Sequence, residues 1–362
     1  LTLQILSSKF LSETMLSRAL TAKPRKSPKN EDHDPLQGYT TSSFNDYEDC
    51  IVGFMQDLPL VRCGHDRKCL GCGEGLSHLT LRGVLRGSVG VIGESRLGMT
   101  EKVVLLGGRV CAVKRFRKVS SGSREFGKRI EHLAKVSEKS EYLVPVIAYL
   151  YAKRIKFVLS DYYPMGSLAD LLAGARKHGH TALDWNQRLT IVVHIARAIA
   201  FIHEQYPPYD KKMQMNVHGS IRVCHVMVNI DFSACLSDYG FTQLAEPVEI
   251  PNTLQMMRSP CWQQTTPYSA ELSQKSDIYN FGVILLDVLA GPKGLRMTEG
   301  TKEEKEGLKS EGGSEFFEFA VKEGKERRQV SRVLDIAFAC TSAKPEARPP
   351  IEEIYCYLLE IL

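Results

Sequence analysis

The sequence predicts an α+β protein of two lobes, a small five-stranded β lobe with one helix joined to a larger, mainly helical lobe. Two observations carry this. Strand-like alternation and glycine turns crowd into the stretch from about Leu79 to Ser160. Beyond Pro164 the apolar residues recur with helical spacing, in segments long enough to bury a core. A chain of 362 residues is long enough for one such domain or two ordinary ones.

In chain order, residues 1–47 read as a disordered leader and linker. Thr21–Tyr47 is rich in Lys, Pro, Ser, Asn and Asp and has too few apolar groups to offset the entropy of ordering. Residues 48–77 form a short Cys-rich piece, and the two-lobed domain spans 78–362. "LTLRGVL" alternates as a strand, "SVGVIGES" leads into glycines, and "KVVLLGGRVCAVKRF" reads as two strands joined at Gly107–Gly108. "SREFGKRIEHLAKVSE" is an amphipathic helix with Phe126, Ile130, Leu133 and Val136 on its buried face. Strands near Leu143–Leu150 and Lys156–Ser160 close the first lobe at about 160, and a connection at 161–164 leads to the second. There, "SLADLLAGARK", the strongly apolar "NQRLTIVVHIARAIAFIHEQ" and "KSDIYNFGVILLDVLAG" are helices. Ser276–Asp277 would cap the third, and Gly291–Pro292 would stop it. Residues 293–313, mostly Gly, Lys and Glu, read as a solvated mobile loop. "RQVSRVLDIAFACTS" and "PIEEIYCYLLEIL" are the final helices.

Composition excludes several classes. Net charge is +5, with 43% apolar and 25% charged residues, which suits a globular domain rather than a dedicated nucleic-acid binder. No long uncharged apolar run is present to span a bilayer. The ten cysteines are scattered, several in apolar segments, as free thiols are in a reducing compartment. Cys63, His65, Cys69 and Cys72 form C-x-H-x₃-C-x₂-C. That pattern reads as reduced surface thiols or as a zinc site, the second weakened because all four ligands share one short segment.

Chemistry concentrates in four segments. "VCAVK" ends in Lys114, and Glu131 lies in the middle of the charged helix that follows. "NVHGSIRVCHVMV" contains Ser220, Arg222 and His225, and "LSDYG" contains Asp238. In this order and at these intervals they match a protein kinase. There the strand lysine meets the α- and β-phosphates of ATP, a helix glutamate pairs with it, and the Asp of the second motif binds Mg²⁺. Together with "SDYYPMGSLADLL", "LDWNQRL", "SDIYNFGVILLDVLAG" and "ACTSAKPEARPPIEEI", they make the stretch from about Leu79 to Leu362 resemble the kinase domain of plant leucine-rich-repeat receptor-like kinases. The resemblance implies a nucleotide site built from Gly93, Ser95, Gly98, Ala112, Lys114, Glu131, Asp161, Tyr163 and Asp238, with Ser160 a small residue at its back. It also implies that Asp277 holds the loop backbone and that Glu271 pairs with Arg348.

The departures from the pattern bear on function. Ser220 stands where a carboxylate accepts the substrate hydroxyl's proton, and a neutral hydroxyl cannot do so. Loss of a positioned base lowers a rate by about 10²–10⁴-fold. Gly219 replaces the arginine that would receive an activation-loop phosphate. His225 replaces the second Mg²⁺ ligand with an imidazole, which Mg²⁺ disfavours. Arg222 keeps the charge of the loop lysine without its shape. Ser95 replaces the middle glycine of the phosphate turn. Lys114 and Glu131 could equally be a structural ion pair, and Asp238 a turn cap. The expectation is a pseudokinase that signals by binding and allosterically biasing other protein kinases or receptor complexes, with weak binding of ATP and Mg²⁺. The alternative is a weakly active Ser/Thr kinase. The expected location is cytoplasmic, at the inner face of the plasma membrane through partners or a further segment.

Overall fold

The computed structural model describes residues 57–63, 79–178, 183–206, 213–248, 272–298 and 316–362, all within one compact unit. The leader lies outside these residues, as do His65, Cys69, Cys72 and Glu271.

The small lobe is an antiparallel sheet of six strands. They are β1 (Val61–Arg62), β2 (Ser88–Glu94), β3 (Gly98–Val104), β4 (Val110–Phe116), β5 (Val146–Tyr151) and β6 (Lys156–Asp161), in the order β1-β5-β6-β4-β3-β2. The strand beyond the expected five is β1, which falls in the stretch assigned to the Cys-rich piece and pairs Val61 with Tyr149. Nearby, Leu60 N donates to Leu79 O at 2.8 Å and Leu81 N to Leu58 O at 2.7 Å, so the lobe draws on residues before 78.

The alternation in Leu79–Leu85 is misleading, because the chain forms a helix there, α1 (Leu81–Gly87). Thr80 caps it by accepting from Gly83 N at 3.2 Å, and Leu81 and Val84 share its buried face. Over so few residues a cap and one i,i+3 pair outweigh an alternating pattern.

Period two along β4 sends Cys111 and Val113 to one face of the sheet and Ala112, Lys114 and Phe116 to the other. The first face packs on Leu81, Val84, Phe157 and Leu159. The second meets Phe126, Ile130 and Leu133 of α2 (Ser123–Ser137), in a core that continues into the helical lobe. Lys114 is thereby aimed at the space between the lobes. A Cβ at Gly98 would stand 1.9 Å from the Arg115 carbonyl oxygen, so β3 can lie against β4 there only with glycine.

The larger lobe contains α3 (Leu168–His178), α4 (Trp185–His203), the ribbon β7 (Val226–Val228) and β8 (Ala234–Leu236), then α5 (Gln274–Arg296), α6 (Lys325–Cys340) and α7 (Ile351–Ile361). Asp184 and Gln187 close a capping box on α4, whose apolar residues are buried on most sides. The cap of α5 is Ser273, boxed with Ser276, rather than Ser276–Asp277. Asp277 falls in the first turn and points inward. Gly291, at φ 56° and ψ −137°, breaks the long helix of α5 as expected, and Pro292 opens a further turn to Arg296. The expected loop at 293–313 therefore begins as helix, and its part from 299 lies outside the described residues. By length and composition α5 is apolar enough to cross a membrane, but 67% of that window is buried in this lobe.

The thiol expectation needs one correction. Cys63, Cys111, Cys235, Cys340 and Cys356 are free, but Cys224 is disulfide-bonded. It sits half-buried in the 3-10 turn Val223–His225.

Asp277 is wholly buried and accepts from His218 N at 2.7 Å and Gly219 N at 3.0 Å, with His203 Nε2 at 3.2 Å. It ties the loop before β7 to α5. Replacing Asp277 with Ala would leave those donors buried and unpaired. The expected loss is about 3 kcal/mol or more, read as a lower urea midpoint at unchanged slope.

Candidate functional site

The lobes enclose a cleft of about 350 Å³. Gly93, Ser95, Ala112, Lys114, Asp161, Tyr163, His225 and Asp238 all line it, as expected, with Ser160 at its back beside Val146 and Val158. Gly98, Glu131, Ser220 and Arg222 are not on its wall. Asp161, at the end of β6, is fixed by Arg109 Nη2 donating at 2.8 Å, and the Lys102 ammonium lies 4.6 Å from the Tyr162 ring centroid.

The ribbon β7–β8 carries the two motif loops, the segment from His218 to His225 before it and Asp238-Tyr239-Gly240 after it. Asp238 adopts a left-handed φ of 61° and Gly240 one of 71°. Tyr239 is buried against His218, with ring centroids 6.1 Å apart, and its hydroxyl donates to the Met215 carbonyl. A Cβ at Gly240 would press on Leu133 of α2 at 2.5 Å. Gly219 also needs to be glycine. Its φ is 78°, and a Cβ there would meet Thr242 Oγ1 at 2.7 Å and Leu272 Cδ2 at 2.8 Å. The arginine of the kinase pattern would be strained at this position.

The Glu131 pairing expected from the sequence does not form. Lys114 Nζ instead lies 2.8 Å from Asp238 Oδ2, with both side chains largely buried. Glu131 is exposed on α2 and faces the Tyr149 hydroxyl and the Cys63 thiol. The reason is helix register. Leu133 is buried on the cleft wall, and Glu131 is two residues, or about 200°, around the helix from it. The polar residue one turn before Leu133 is Arg129, which the sequence reading passed over. Its Nη1 donates to the Gln243 carbonyl and its Nε to Glu125 at 3.1 Å. The missed signal was spacing from Leu133 instead of distance along the chain from Lys114.

Ser220 is buried, with its N donating to His218 Nδ1 at 3.2 Å and its Oγ 3.3 Å from His225 Nδ1. That imidazole nitrogen lies 2.7 Å from the Ser220 carbonyl oxygen, which can only accept, so Nδ1 carries the proton. It is not a base for the Ser220 hydroxyl. His225 Nε2 is 3.4 Å from Asp238 Oδ2. Burial pulls His225 down to about 4, against the opposing effect of Asp238, so the ring is neutral. Burial pushes Asp238 up, but the adjacent Lys114 and then His225 outweigh it and hold the carboxyl below its usual range.

The pair does not fit magnesium, which asks for octahedral oxygen, since the second ligand position offers a nitrogen. Of the zinc candidates only Cys63 is among the described residues. Its thiol is pushed up to about 12, by burial and then by Glu131, which favours the neutral form over a zinc-binding thiolate. The glycine turn is tied down from two sides. Glu94 pairs with Arg117, and Val248 N donates to Arg96 O at 3.1 Å.

Residues 86–358 match the family described as protein tyrosine and serine/threonine kinase, and the chain belongs to it. It is similar to a probable inactive receptor kinase of Arabidopsis thaliana, 32% identical over 299 residues that cover 80% of this chain and 45% of that protein. A second probable inactive receptor kinase of the same plant is 31% identical over 282 residues, covering 76% and 42%. The Arabidopsis leucine-rich repeat receptor-like protein kinase PXC1 is 31% identical over 320 residues, covering 82% and 46%. The chain thus spans less than half the length of these relatives. Its fold is that of the pseudokinase domain of BIR2, an immune regulator of the RLK/Pelle family, with a TM-score of 0.65, 24% identity and coverage of 87% and 92%. The maize SIRK1 kinase domain bound to AMP-PNP gives a TM-score of 0.58 at 24% identity, covering 82% and 98%.

Replacing Lys114 with Met would leave Asp238 buried without its cation. The expected loss is about 3–5 kcal/mol in chemical denaturation, most of it recovered by adding Asp238→Asn. The pH dependence has a definite sign. His225 binds its proton near 6.5 unfolded and near 4 folded, so stability falls as pH drops from 6.5 towards 4. The slope of melting temperature against pH in that window should flatten in His225→Asn, with the buried His218, also shifted down, left as the residual.

Proposed function

We propose that this chain is a pseudokinase, a protein-kinase fold that binds adenine nucleotide without transferring phosphate. In this reading it acts by binding and biasing active kinases or receptor complexes at the cytoplasmic face of a membrane. The observation that carries this is Ser220. In-line attack on a γ-phosphate needs an acceptor for the incoming hydroxyl's proton. The acceptor position holds a hydroxyl turned onto His225, whose nearer nitrogen is already protonated. Lys114 is available to meet phosphate oxygens once it leaves Asp238. The strand edge at Asp161–Tyr163 and the apolar floor at Met227 would hold a base. The kinase relatives named inactive support this reading.

Two measurements test it. Purified chain incubated with radiolabelled ATP and a generic protein substrate should transfer no phosphate above a Lys114→Met control. Transfer that depends on Lys114 would establish the weak Ser/Thr kinase instead. ATP at millimolar concentration should raise the melting temperature, because binding only the folded state stabilises it by RT ln(1 + [L]/Kd). An unchanged melt in wild type would remove nucleotide from the function and leave scaffolding alone.

A further inference from the structure

We infer that Ser120 is a modification site, phosphorylated by an active basophilic serine kinase, and that its phosphate releases the segment after Asp238-Tyr239-Gly240 from the small lobe. This goes beyond the pseudokinase reading, because the chain is here the substrate and its own cleft takes no part. The loop between β4 and α2 reads Arg117-Lys118-Val119-Ser120-Ser121-Gly122. Cations three and two residues before a serine are a charge pattern that an acidic substrate groove selects. Ser120 is exposed. Its neighbours are poorer acceptors. The Ser121 hydroxyl is closed to solvent, and the Tyr151 hydroxyl pins that residue by donating to its carbonyl at 2.8 Å. Ser123 is exposed, but serines 120 and 121 stand where its cations would be.

The same loop holds the segment in place. Lys118 pairs with the Glu246 carboxylate, and the Ser120 hydroxyl donates to it as well. Glu246 N donates back to the Lys118 carbonyl at 2.9 Å, and two residues on Val248 N donates to Arg96 O at 3.1 Å. Transfer of the γ-phosphoryl group of ATP to Ser120 Oγ forms one P–O bond and breaks another, releasing ADP. The hydroxyl proton goes to the base of the partner kinase. With that proton the bond to Glu246 is lost, and a charge of about −2 stands against the carboxylate it used to join. The phosphate draws Lys118 to itself. It also gains from Arg124, exposed in the first turn of α2, and from the helix end, where the cap Gly122 offers no side-chain acceptor. Glu246 is left facing a dianion without its cation.

The test uses the full chain with ATP, Mg²⁺ and the catalytic subunit of cyclic-AMP-dependent protein kinase as the basophilic probe. Peptide mapping by mass spectrometry should place the label on Ser120, and Ser120→Ala should lose it at an unchanged melting temperature. No label on the folded chain, or label on Ser121 or Ser123 instead, overturns the site. In the phosphorylated chain the Glu246 and Val248 amides should exchange with deuterium about fivefold faster, the effect of losing one exposed ion pair. That gain should shrink in about 1 M salt, which screens exposed charges. Unchanged exchange overturns the release. Glu246→Gln should exchange faster before phosphorylation and respond less to it, and a response as large as that of wild type overturns the part given to Glu246. Label on Ser120 without the added kinase overturns the outside enzyme and the pseudokinase reading together.

Discussion

Lys114 and Asp238 hold the two lobes in register. One stands on β4 of the small lobe, the other after β8 of the large lobe, and both are largely removed from water. A buried ion pair brings little net stability over an apolar pair, because desolvation offsets the Coulomb gain, but losing either member is costly. Its contribution is therefore to specify one arrangement. The carboxylate keeps Lys114 in the cleft, and the ammonium keeps Asp238 ionised against the pull of burial. The neutral imidazole of His225 fits beside them because its own proton is committed to the Ser220 carbonyl.

Around that pair the loop scaffold is complete. Asp277 holds the backbone of His218 and Gly219, the Tyr239 ring packs on His218, and Leu133 closes over Gly240. This framework positions a proton acceptor in an active kinase, and here it positions a serine. The substitution at 219 has a steric logic, since the backbone there is left-handed and crowded, and glycine relaxes it. Nothing in the structure explains why serine in particular stands at 220.

The segment after Asp238-Tyr239-Gly240 links parts that the cleft chemistry alone would leave independent. Gln243 accepts from Arg129 of α2, Glu246 pairs with Lys118 and its N donates to the Lys118 carbonyl, and Val248 reaches the glycine turn at Arg96. With an arginine in place of a helix carboxylate, α2 is anchored to this segment instead of to Lys114. Lys114 is left to Asp238, and Glu131 faces outward because its register puts it on the far side of α2 from Leu133.

Much was legible in the sequence because it depended on local properties. Period two in Val110–Phe116 aimed Lys114 at the cleft, the turn glycines placed β3 against β4, and a hydroxyl at Ser220 has no useful proton affinity in any fold. Short-range signals failed where tertiary contacts compete. Leu79–Leu85 alternates yet is a helix, and Val61–Arg62 joins the sheet only because β5 offers a free edge. Glu131 lay at the right distance along the chain and on the wrong side of its helix. Loss of the acid–base group was thus determined by covalent chemistry and can be read residue by residue. The partner of Lys114 was decided only by the tertiary structure, because charge pairing depends on separations of a few ångströms that packing sets.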